Sequence, residues 1–202
     1  MKKLSILLLT ILFVPWVSSA PQGIGDVGGG GCICHGSEEA STELIILGLP
    51  TEFESNTSYN FSLEIRSSVV NISPGEEAGG FRIEISSGDI EFDEELGFVQ
   101  KLEEGWTHTI LGNKVRSWNF TYISPSDNST YTDITINGNA VNGNDQSTGD
   151  AWNGTTIRIP GTLFTGDLEP SENTEFLGTL DYAVGSVAIL GLLAIALVII
   201  KD

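Results

Sequence analysis

The sequence predicts an all-β fold, a β-sandwich held outside the cell between a secretory signal and one membrane helix. Three observations predict it. Apolar and polar residues alternate with a period of two through most of the middle of the chain. Gly, Pro, Asn and Asp clusters punctuate those runs. Two apolar stretches bracket them, one at each end.

Residues 1–20 read as a signal peptide. Lys2 and Lys3 supply a positive start, Leu4 to Val14 a short apolar run, and Ser18-Ser19-Ala20 a small-residue cleavage site. Cleavage is expected after Ala20. Residues 21–41 form a Gly-rich lead-in, flexible over PQGIGDVGGGG and carrying a Cys-Ile-Cys-His motif. Residues 42–165 carry the sandwich. Residues 166–180 are an acidic stalk, residues 181–200 a transmembrane helix, and residues 201–202 a cytoplasmic tail. Tyr182 to Ile200 is uncharged and at helical rise covers roughly 28 Å, a bilayer core. Asp181 outside and Lys201 inside fit the bias for cations on the cytoplasmic side. A processed lipid-anchor signal in place of the helix would leave the same ectodomain outside. The chain is therefore expected at the cell membrane, single-pass, with its N-terminal domain extracellular.

Within the sandwich, Tyr59, Phe61, Leu63 and Ile65 alternate with Asn60, Ser62 and Glu64. Phe81, Ile83 and Ile85 alternate with Arg82 and Glu84. Trp118, Phe120 and Tyr122 alternate with Asn119 and Thr121, and Ile134 and Ile136 with Asp133 and Thr135. Each run predicts a strand with one buried and one wet face. Leu44 to Leu47 reads as a strand covered on both faces, and Ile157 to Ile159 as a short last strand. Turns are expected at Ser73-Pro74-Gly75, Ser87-Gly88-Asp89, Leu111-Gly112-Asn113, Ser124 to Asp127 and Asn137-Gly138. Seven or eight strands result, with edges guarded by Glu64, Arg66, Arg82 and Glu84.

The formal charge is −18, which repels phosphate backbones and argues against nucleic-acid binding. Two cysteines are too few for a disulfide scaffold. Six N-x-S/T sequons, at Asn56, Asn60, Asn71, Asn119, Asn128 and Asn153, fit an extracellular glycoprotein. Those at Asn60 and Asn119 fall on the polar faces of their strands.

Cys32-Ile33-Cys34-His35 is the sharpest chemical feature. Covalent haem attachment uses C-x-x-C-H, in which two thiols bond the porphyrin vinyls and the histidine ligates iron. This motif is one spacer shorter, which strains attachment at both vinyls and leaves a single thioether or no haem as alternatives. Only two histidines exist, so His108 is the sole imidazole able to take the opposite face of an iron held by His35. The same four residues, Cys32, Cys34, His35 and His108, could hold zinc or copper, and a strained C-x-C disulfide or free thiols are the further readings. Asn137 to Asp145 with Gly149-Asp150 offers oxygens that suit calcium, without the spacing of a known calcium loop. No hydrolase, nucleotide or metalloprotease motif is present. Glu76-Glu77, Glu94-Glu95 and Glu103-Glu104 are adjacent pairs that would face opposite sides of a strand. No enzymatic activity is expected.

The order of Cys34-His35-Gly36, Leu49-Pro50, Tyr59, Gly79-Gly80-Phe81, His108-Thr109, Trp118 to Tyr122 with Pro125, and Asn139 to Asn144 with Gly149-Asp150 resembles the Reeler-like extracellular domains, in particular the prokaryotic choice-of-anchor V group. The resemblance spans nearly all of residues 32–160. It implies an immunoglobulin-like sandwich on a surface protein whose anchor varies between members. It also implies a haem-type C-x-x-C-H where this chain has C-x-C-H, and it brings no catalytic residues. The expected function is a membrane-anchored surface binding module for an extracellular protein or glycan, carrying haem c or a metal at the motif. The alternative is a single-haem electron carrier at the cell surface.

Overall fold

A computed structural model describes residues 20–31, 36–72, 75–144, 148–168 and Gly191. The signal segment 1–19, the motif Cys32–His35, the stalk beyond Leu168, the expected membrane span save Gly191, and the tail 201–202 lie outside the described residues. Among the described residues no helix is long and apolar enough to cross a membrane.

Among the described residues, ten strands form two sheets. They are β1 (Ser37–Glu38), β2 (Thr42–Leu47), β3 (Ser58–Ser67), β4 (Gly79–Ile85), β5 (Asp89–Glu91), β6 (Val99–Leu102), β7 (Gly105–His108), β8 (Ser117–Ile123), β9 (Tyr131–Ala140) and β10 (Ala151–Pro160). One sheet runs β1-β10-β9-β4-β7-β6 and the other β2-β3-β8-β5. All pairings are antiparallel except the two-residue contact of β1 with β10.

The alternation sets the core. Phe61, Leu63 and Ile65 on β3 and Trp118, Phe120 and Tyr122 on β8 are buried facing Phe81 and Ile83 on β4 and Ile134 and Ile136 on β9. Aromatic rings join the layers: Phe81 lies 4.7 Å from Trp118 and 5.4 Å, edge-on, from Phe120, and Phe120 stacks on Phe61 at 5.1 Å. Such pairs contribute about 0.5–1.5 kcal/mol each beyond their buried area.

Several expectations need correction. Arg82 is not on a wet face; it is fully buried, because the N-terminal segment covers the outer side of β4. Neither Arg82 and Glu84 nor Glu64 and Arg66 guard an edge. They sit on β4 and β3, which have a neighbour on both sides, whereas the edges are β1, β6, β2 and β5. Leu44 to Leu47 belongs to edge strand β2 and is only partly covered, with Leu47 63% exposed. Asn137-Gly138 is not a turn but lies inside β9, flanked by β4 and β10. The last strand is ten residues long rather than three. The acidic pairs do not lie on strands: Glu94 and Glu95 open a 3-10 turn capped by the Asp93 carboxylate, and Glu103 and Glu104 form the β6–β7 connection.

The Gly-rich lead-in is the largest departure. Ala20 to Gly31 is a strap against the outer face of the six-stranded sheet, with a 3-10 turn at Asp26–Gly28. One of its glycines serves close approach to the sheet backbone. Gly23 has φ +103°, and a Cβ there would strike the His108 backbone carbonyl at 2.6 Å.

Candidate functional site: the strap-covered face

The strap is fixed along its length by side chains from four strands. Gln100 on β6 donates to the Gln22 carbonyl. Thr107 on β7 accepts from the Ile24 amide at 3.1 Å while donating to the Phe81 carbonyl at 2.7 Å. Arg82 on β4 donates from all three guanidinium nitrogens. Nη1 donates to the carbonyls of Ile24 (3.2 Å) and Leu102 (2.7 Å), Nη2 to Asp26 (2.8 Å) and Nε to Glu84 (3.0 Å). Asn137 on β9 donates to the carbonyls of Gly28 (2.9 Å) and Gly29 (3.0 Å). A fully desolvated cation is costly unless every donor is matched. Here the strap backbone and Asp26 supply matches the strands alone lack.

His108 ends β7 beneath the start of the strap and is 6% exposed. Its ring lies over Gly80 of β4, where a Cβ would meet Cε1 at 2.6 Å. The Phe81 amide donates to Nδ1 at 3.1 Å, so the ring proton is on Nε2, which faces the Ala20 carbonyl at 3.3 Å. Burial holds the imidazole pKa below its ordinary value, with the Phe81 and Ala20 carbonyls pulling the other way.

Asn139 stands directly opposite Gly80 in the β9–β4 register and opposite Trp152 in the β9–β10 register. Side chains paired this way share a face, so Asn139 shares the outer face with the imidazole that lies over Gly80. It is 7% exposed, and its Oδ1 has no hydrogen-bond partner. Neither residue's environment was legible in sequence; the Asn-Gly-Asn spelling pointed instead to a turn.

The sequence-predicted site residues separate as follows. Cys32, Cys34 and His35 lie outside the described residues. Their flanks do not: Gly31 is buried, and Gly36 packs on the Asp150 carbonyl beside the β1–β10 pairing. Among the described residues no cluster of three or more His, Cys, Asp or Glu stands at metal-binding spacing. The proposed calcium segment is divided. Asn137 and Asn139 are in β9, whereas Asn142 and Asn144 both donate to the Thr148 carbonyl at 3.1 Å and Asp150 accepts from the Asn142 amide. These amides are thereby used in shaping a turn.

Of the sequons, Asn56, Asn60, Asn71 and Asn119 are exposed. Asn60 and Asn119 share the outer face of the four-stranded sheet, where Asn60 pairs with Thr121 and Asn119 with Ser62. Asn128 and Asn153 are half-buried, and the nitrogen that would carry sugar donates instead to Thr162 Oγ1 and to the Thr42 carbonyl, each at 2.8 Å.

Sequence reasoning also missed Arg116. Its buried guanidinium donates to the carbonyls of Ala78 (2.6 Å), Val70 (2.9 Å) and Val141 (3.1 Å), closing one end of the sandwich. A lone arginine before a strand carries no signal for that role.

Fold and surface together define an all-β two-sheet sandwich with one strap-covered and one sequon-bearing face. Among solved structures it is similar to the Reelin-N domain of F-spondin, with 13% identity and a TM-score of 0.43, covering 67% of this chain and 95% of that one. It is similar also to a human F-spondin reeler domain, with 14% identity and a TM-score of 0.40, covering 63% of this chain and 96% of that one. No family model and no curated protein matches the chain.

Proposed function

We propose that this chain is a membrane-anchored cell-surface binding module that carries haem c or a metal at its Cys-Ile-Cys-His motif and displays it on the six-stranded sheet. The observation that carries the reading is the fixing of both flanks of the motif. Gly28 and Gly29 are held by Asn137 on β9, and Gly36 packs at the start of β10. The Gly-rich segment before the motif is thus fitted to the sheet rather than slack.

The chemistry of the described residues fits such a group. The Gly80 cradle admits an imidazole that a Cβ would exclude, and the orphaned Asn139 Oδ1 lies on the same face. Cys32, Cys34, His35 and His108 would hold the group. When bound, haem would supply one-electron redox chemistry. The chain's own residues do the rest. As a ligand through Nε2, His108 would carry its proton on Nδ1, facing the Phe81 carbonyl (3.4 Å) and Thr107 Oγ1 (3.3 Å), and the Phe81 amide that now donates to Nδ1 would have to turn away. The expected cleavage after Ala20 removes the carbonyl that Nε2 now faces. Exposed Asn56, Asn60, Asn71 and Asn119 fit display outside the cell, and the uncharged stretch Tyr182 to Ile200 fits the anchor.

The test is spectroscopy and metal analysis of the full chain, purified from membranes of a host competent in haem maturation. A stoichiometric Soret band or bound metal that is lost in Cys34→Ser supports the reading. A colourless, metal-free protein ends it. A reversible redox response without partner binding favours the electron carrier instead.

A further inference from the structure

We propose that the strap-covered face is the ligand face of the binding module, that the strap occupies it in cis, and that its ligand is a peptide segment of another protein with a glycine three residues before an acidic side chain. This rests on the binding-module part of the reading above and uses no contact of the cysteine motif.

The contacts define what the face can recognise. Gln100 donates to the Gln22 carbonyl, Arg82 to that of Ile24 and Asn137 to those of Gly28 and Gly29, while Thr107 and Glu103 accept from the amides of Ile24 and Asp26. All of these strap atoms are main chain, which every peptide carries; such bonds give affinity, and a few side-chain positions give specificity. Two positions are selective here. Asp26 gives its carboxylate to Nη2 of the fully buried Arg82, whereas Glu84 serves Nε. A buried cation needs a matching anion in whatever segment lies over it. Gly23, three residues before Asp26, has φ +103° and approaches the His108 carbonyl so closely that a Cβ would fall 2.6 Å from it.

The way the strap is held makes it replaceable. Val27 is 73% exposed and Ile24 is only half-buried, so the strap brings little apolar area to the sheet. Its hold is hydrogen bonds, each of which replaces one to water and contributes little net. Against them stands the backbone entropy lost at every residue the strap orders. A segment held in this way opens before the sandwich does. The side chains beneath it are polar, and an incoming main chain satisfies Gln100, Thr107, Arg82 and Asn137 as the strap does now.

The probe is a labelled peptide of residues 21–31, PQGIGDVGGGG, titrated into the full chain in detergent. Gly23→Val in the full chain loosens the strap and leaves the side chains of the sheet as they are; Asp26→Lys loosens it by a second route. The peptide should bind either variant about tenfold or more tighter than it binds the wild type, where the cis strap competes. Peptides that themselves carry Gly23→Val or Asp26→Lys should not bind. Amide exchange at Ile24 reports whether the strap has left. An opened chain that ignores the peptide, or that binds it regardless of Gly23 and Asp26, overturns the proposal. So does an Ile24 amide still protected in both variants, which marks a fixed cover. A wild-type dimer with straps exchanged, which excess peptide fails to dissociate, would give the face to a second copy and overturns it as well. A chain without haem or metal bears on the motif alone, and a failed peptide titration leaves the motif reading in place.

Discussion

At the residue scale, the informative side chains are polar ones in dry places. His108 has its pKa lowered by burial, and its Nδ1 accepts from the Phe81 amide. A depressed pKa means the neutral form is favoured in the fold. The stability it contributes is therefore full above the unfolded value near 6.5 and is lost as pH falls through the lower, folded value. Urea midpoints at pH 7.5 and pH 5 should show that loss in the wild type, and His108→Gln should flatten it. A slope unchanged in the variant would assign the loss to carboxylates. Arg82 is the second case. Arg82→Met strands the Leu102 and Ile24 carbonyls and leaves Asp26 and Glu84 without their cation. The expected cost is about 2–4 kcal/mol in denaturant unfolding, discounted from a fully buried pair because Asp26 is 65% exposed.

At the scale of elements, the strap and β4 depend on each other. Arg82→Met should release residues 20–31 before the sandwich unfolds, visible as fast amide exchange at Ile24 and Gly28 with β3 and β8 still protected. Strap and sandwich exchanging as one unit would refute that order. Gly80→Ala tests the cradle from the other side. Its Cβ would fall 2.6 Å from the His108 ring, so the imidazole must tilt or β4 must shift, at a cost of about 1–3 kcal/mol. NMR shifts of the His108 ring should move, while those of Trp118 in the core stay in place. These elements show where sequence reading ran out. The alternation on β3, β8 and the first half of β9 was legible, because one face of each meets the core and the other meets water. The strands β5, β6 and β7 were not: each has four residues or fewer, too short for a period to register. On β4 the pattern was right and the inference from it wrong, since a polar residue on the outer face can be buried by a segment sixty residues away.

For the whole molecule, the two outer faces differ in what covers them. One carries the strap, and the other Asn60 and Asn119. In a host that glycosylates such sites, peptide mass spectrometry should find sugar at Asn60 and Asn119. Asn128 and Asn153, whose amide nitrogens are already bonded, should carry little. Equal occupancy at all six would show that sugar is added before those bonds form. The anchor has its own test. The full chain should float with liposomes, and a chain ending at Leu168 should stay in the soluble fraction; flotation of both would place the attachment elsewhere.

By itself the sequence determined the two-layer β architecture, the core-facing residues of β3, β4, β8 and the first half of β9, and the identity of the cysteine motif. These follow from local chemistry: side-chain alternation, turn residues and spacing along the chain. Tertiary structure alone decided which outer face is wet, that a glycine-rich segment is a fitted strap, and that His108 and Asn139 share a face with the ends of that strap. Those facts depend on which distant backbone approaches which strand. No window of sequence contains that information, because a buried arginine and a solvated one are spelled alike until the covering segment arrives.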